Sequence, residues 1–212
     1  MMASEGTSAG LTGRTTAGAP GEAPAERRER GIRALDVASR LLAGATTFFF
    51  LAFGFGYFYL RSLNVHDAWK IGTVDAPVGW GAAIMVVLVL SAALLRIGSR
   101  RPADEVRLGF VALLLAVLAL VLQVIEWTTL GFGPASGAYA SVFIGWTATY
   151  VVVQLMCLYW IETQVATAWR SRREGPGFGG AELMAAGLEA CSFFWTFFVG
   201  IGVLAFVILY LV

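Results

Sequence analysis

One histidine, His66, and two cysteines, Cys157 and Cys191, are the only imidazole and thiol groups in a chain of 212 residues. Metal and haem centres draw on several such donors held together. The scarcity excludes a haem with paired histidine ligands, or a multi-histidine copper site, built from this chain alone. No cofactor and no metal are expected in it. The cysteines are not at C-x-x-C spacing, and both fall toward the cytoplasmic ends of apolar segments. They read as free packing residues, not as a disulfide. His66 reads as an ordinary loop residue. There is also no P-loop, no dinucleotide-binding fingerprint and no Ser/His/Asp set, so no catalytic residue is assigned.

Charge is scarce as well. Asp, Glu, Lys and Arg make up 14% of the chain, where soluble domains carry about one quarter. A net charge of +1 offers nucleic acid no electrostatic footing. The first residues lack the short apolar core of a cleavable signal peptide. No internal repeat of the kind that builds inverted-repeat transporters is visible.

Apolar residues are abundant instead: 58% of the chain, with a mean hydropathy of +0.74. About 20 consecutive apolar residues cross a hydrocarbon core of about 30 Å as a helix. Five stretches qualify, at 41–60, 78–97, 108–127, 138–162 and 189–212. They are continuously apolar and do not alternate, which excludes a transmembrane barrel. Lipid cannot satisfy backbone groups, which leaves helices. The expected fold is all-α, a polytopic membrane protein with a bundle of five transmembrane helices in residues 41–212. Residues 1–25, rich in Gly, Ala, Thr, Ser and Pro, read as a disordered N-terminal tail. Residues 26–40 read as a charged, helix-prone cytoplasmic juxtamembrane segment.

Basic residues set the expected orientation. The tail to Arg40 and the loops around 96–107 and 170–173 hold 13 of them, and the two alternate loops hold only Arg61 and Lys70. The N-terminus is therefore expected in the cytoplasm and Val212 outside.

Polar residues within apolar spans are candidate functional positions, because each is expensive there. Glu126 stands beside Trp127, with Gln123 one turn back on the same face. Two readings are open: a wetted carboxylate at the outer interface, or a buried carboxyl that links helices or receives a partner's hydrogen bond. Tyr150 and Gln154, also one turn apart, are expected to hydrogen-bond across helices. Ser141, Gly145 and Thr149 form a small-residue stripe that allows close helix approach. Glu162 and Glu189 are expected to form solvated pairs with Arg170 and Arg172. The aromatics of 48–59 and 193–198 read as lipid-facing and packing bulk, or as a face for another membrane subunit.

Four segments, in order, carry a family resemblance: YFYLRSL at 57–63, QVIEW at 123–127, GAYASVFIGWTAT at 137–149 and LEACSFFWTFF at 188–198. Together they resemble subunit III of haem-copper oxidases, the cytochrome c oxidase type, in its five-helix form. The likeness covers roughly residues 35–212. Thr47 stands where that family carries an acidic residue, Tyr150, Val153 and Thr196 where it carries histidines, and Val199 where it carries an aspartate. The resemblance implies a non-redox accessory subunit in a bacterial cell membrane, with no catalytic centre of its own, in a proton-pumping oxidase. Its partners would be the catalytic subunit I, which carries haem and copper, the other subunits and membrane lipids. Its role would be to stabilise subunit I and help sustain proton uptake. The alternatives are an accessory subunit of a quinol oxidase or nitric oxide reductase, and a small homo-oligomeric transporter.

Overall fold

A computed structural model describes residues 24–64, 69–70, 74–175 and 180–212. Five helices follow one another: α1 (Pro24–Ser62), α2 (Val78–Ser99), α3 (Glu105–Thr129), α4 (Ala138–Glu174) and α5 (Gly180–Phe206). A π-helical turn, Val207–Leu211, continues α5 to the end of the chain. The described residues contain no strand, and all five helices are long and apolar enough to cross a membrane. His66 and most of the expected disordered tail lie outside the described residues.

The helices outrun the apolar stretches at two places. Residues 26–40 are not a separate segment but the first turns of α1, a helix of 39 residues and so about 58 Å long. Helix α4 has 37 residues. Both extensions are rich in Ala, Arg and Glu, good helix formers, and α4 stops only at Gly175, whose φ of 85° favours glycine. The extensions have partners. Arg28 of α1 meets Glu182 of α5 at 3.0 Å. Arg172 of α4 lies 3.7 Å from Glu105 and donates to the backbone carbonyls of Pro102 and Ala103. It thereby ties α4 to the α2–α3 turn, and its ion pair is with Glu105 instead of the expected Glu162 or Glu189. Those two glutamates are exposed on the helix surface.

Small residues bring the core together. Ala112, Ala116 and Ala119 of α3 are fully buried, as is Leu88 of α2. A Cβ on Gly109 would come within 2.8 Å of Val165 Cγ2, so α3 and α4 touch there through a glycine. Ser91 joins three helices: its hydroxyl donates to the Ala112 carbonyl at 2.7 Å and accepts from Trp195 Nε1 at 3.1 Å. Ser91→Ala leaves a buried indole N–H without an acceptor. A loss of about 1 kcal/mol is expected, read as a lower melting temperature of the purified protein. An unchanged midpoint would mean that this three-helix junction contributes nothing to stability. Between α4 and α5, the rings of Tyr150 and Phe198 stack at 4.2 Å. Cys157 and Cys191 are buried free thiols.

The aromatic residues divide by face. Phe50 and Tyr57 of α1 and Phe194, Trp195 and Phe198 of α5 are buried, whereas Phe48, Phe49, Phe55, Phe58 and Tyr59 point outward. The stripe at Ser141, Gly145 and Thr149 does not mediate close helix approach within the chain. A Cβ at Gly145 would meet nothing within 4 Å. Ser141 and Gly145 instead line an open groove with Ala52, Phe53 and Gly56 of α1.

Candidate functional site

Three of the expected polar residues, Gln123, Glu126 and Tyr150, gather where the end of α3 meets α4 and the end of α5, whereas Gln154 lies apart, against the middle of α3. Gln123 and Glu126 project from one face of α3 because three residues make nearly one helical turn. Gln123 Nε2 donates to Glu126 Oε2 at 2.6 Å, and the Tyr210 hydroxyl donates to Glu126 Oε1 at 2.7 Å. Glu126 is 0% exposed. The carboxyl is therefore buried and links α3 to the end of the chain, and the wetted-interface reading does not describe it. Each carboxyl oxygen receives a donor, which offsets the desolvation of a buried acid. Among the described residues, the ion pairs all lie elsewhere.

Tyr210 comes from the π-helical turn. Val212 N donates to the Val207 carbonyl at 3.2 Å, closing the wider i→i+5 ring. The Leu209 carbonyl accepts from the Tyr139 hydroxyl at 2.7 Å. Gly81 of α2 makes room for the Tyr210 ring: a Cβ there would lie 2.6 Å from its Cε1. Tyr139, at the start of α4, also receives the first connection. Its backbone N–H donates to the Trp69 carbonyl at 3.1 Å, its ring meets that of Trp69 edge-on at 5.8 Å, and Lys70 Nζ lies 4.6 Å from its centroid.

Tyr150 and Gln154 both reach across helices, to backbone carbonyls and not to each other. Gln154 Nε2 donates to the Ala116 carbonyl of α3 at 3.0 Å, and the Tyr150 hydroxyl to the Phe198 carbonyl of α5 at 3.3 Å. A third cross-helix bond runs from Trp127 Nε1 to Thr147 Oγ1 at 3.1 Å. Thr47 returns its hydroxyl to the Ala43 carbonyl of its own helix at 2.8 Å.

Sequence reasoning missed Tyr210, Thr147 and Trp146. Tyr210 had one available signal: a tyrosine hydroxyl in an apolar run needs an acceptor. The arrangement can join three helices by hydrogen bonds and fix the C-terminal turn. Among the described residues, no three His, Cys, Asp or Glu side chains are grouped so as to hold a metal ion. Comparison with known protein families finds no match, and comparison with curated proteins finds none either.

Proposed function

We propose that this chain is a multi-pass membrane subunit, N-terminus in the cytoplasm and C-terminus outside, of a bacterial respiratory haem-copper oxidase. It acts there as a non-redox accessory subunit of the cytochrome c oxidase type, seated beside a catalytic subunit that holds the haems and copper. The observation that carries the reading is the ordered set of four motifs, at 57–63, 123–127, 137–149 and 188–198. Two of these motifs also bond directly, Trp127 Nε1 donating to Thr147 Oγ1 at 3.1 Å, and Trp69 lies between Tyr57 of the first motif and Tyr139 of the third. In this reading the function is structural. The polar cluster around Glu126 holds the bundle in shape, and the outward-facing aromatic and aliphatic surface meets lipid and the partner subunit.

Two experiments test it. A tag on this chain, used to extract its complex from native membranes in mild detergent, should bring down a polytopic haem protein at one copy per copy of this chain. Recovery of a homo-oligomer alone would point to the transporter alternative. For topology, single cysteines introduced at Ala103 and at Ser136 should react with a membrane-impermeant thiol reagent from opposite sides, Ala103 only after the cytoplasmic face is opened. This follows from the 13-to-2 distribution of basic residues. Labelling of Ala103→Cys in intact cells would reverse the orientation.

A further inference from the structure

Trp146 of α4 is 3% exposed, and its indole Nε1 is buried with no hydrogen-bond partner among the described residues. Indole is a donor only, so it needs an acceptor. Buried polar groups in native proteins are almost always paired, with protein or with ordered water. Trp146 lines a cavity of about 30 Å³ that Gln123 and Tyr150 also line. About 10–15 Å³ of such space is enough to hold a water, which also needs two to four polar partners.

The two neighbours have the complementary groups. Gln123 uses an amide N–H on Glu126, which leaves its carbonyl oxygen to accept. The Tyr150 hydroxyl donates to the Phe198 carbonyl, which leaves a lone pair. Thr147 and Tyr210 also line it, but their hydroxyls already donate to the Phe143 carbonyl and to Glu126, and the rest of the lining, such as Ile84, Ala205 and Leu209, is apolar. A wholly apolar cavity would stay dry, so the unsatisfied Trp146 N–H and the free acceptors of Gln123 and Tyr150 decide the occupancy.

We propose that this cavity is a binding site for one structural water molecule. The water accepts from the Trp146 indole N–H and donates to the Gln123 carbonyl and the Tyr150 hydroxyl. It extends the Glu126 cluster into one hydrogen-bonded chain, Tyr210–Glu126–Gln123–water–Trp146, that crosses α3, α4 and the end of α5. The site does not depend on the oxidase reading.

Full-length protein in lipid bilayers, labelled with ¹⁵N-indole tryptophan, allows a direct test by water-edited solid-state NMR. Trp146→Phe assigns the Trp146 signal by its loss. Trp195 is the internal dry reference, because it is 1% exposed and its N–H is bonded to Ser91. Magnetisation from water should reach the Trp146 indole several-fold faster than the Trp195 indole, with a hydrogen-bonded ¹H shift at Trp146. Ala205→Val, which fills the cavity, should reduce Trp146 to the Trp195 rate. Equal build-up at Trp146 and Trp195 in the wild type would overturn the proposal. So would fast transfer that persists in a folded Ala205→Val protein. The wild-type comparison decides the matter by itself if that variant fails to fold.

Discussion

Replacing Glu126 by alanine should lower the stability of the purified chain by several kcal/mol. The substitution removes the acceptor of two buried donors at once, the Gln123 amide and the Tyr210 hydroxyl, which bond it at 2.6 and 2.7 Å. Each donor left without a partner costs about 1–3 kcal/mol. Domains have total stabilities of about 5–15 kcal/mol, so the loss is a large fraction. The expected reading is a fall of many degrees in the thermal midpoint in detergent, with the C-terminal turn becoming susceptible to carboxypeptidase. Glu126→Gln should fall between, because its carbonyl can still accept one donor while its amide faces the other. In the proposed oxidase, Glu126→Ala should loosen this subunit without altering the haem spectrum. A wild-type midpoint for Glu126→Ala would mean that water replaces the lost bonds freely.

Gly81→Ala should act on the same link from the opposite side. The new methyl would come within 2.6 Å of Tyr210 Cε1 and 2.8 Å of its Cζ, so the ring must move and its bond to Glu126 must stretch or break. Overpacking of this kind costs about 1–3 kcal/mol. The diagnostic is the double-mutant cycle with Tyr210→Phe, which keeps the ring and removes the hydroxyl. Part of the Gly81→Ala loss is the hydrogen bond itself, so the two substitutions should be less than additive by about 1 kcal/mol. Strict additivity would show that Gly81→Ala acts through the backbone or through Phe206, and not through the Tyr210–Glu126 bond.

The elements of this fold were legible wherever a long apolar run fixes a helix. All five runs lie within helices, the last of them, 189–212, up to Leu211. The ends were less legible. Helix α1 begins at Pro24 and α4 runs to Glu174, because charged residues with good helix propensity extend a helix that hydropathy alone would stop. The Gln123–Glu126 pair could be read from spacing. Its burial could not, because the residue that covers it, Tyr210, is 84 positions away and arrives through a π-helical turn that no local pattern announces. The stripe from Ser141 to Thr149 was misread for a physical reason. Small residues permit a close approach, but they do not say which helix makes it, and within this chain Gly145 has no close neighbour. The pairing of Arg172 with Glu105 likewise depends on how the α2–α3 turn lies beneath α4, which sequence proximity does not encode.

The proposed role of this chain is that of a non-redox subunit held beside a haem protein in the membrane. Its most direct test is to purify the complex through a tag on this chain, record its optical spectrum, and then release the chain with harsher detergent. The complex should show a haem Soret band, with haem and copper remaining on the partner after release and the separated chain colourless but still helical. A colourless preparation containing only copies of this chain, or haem that travels with the released chain, would contradict it.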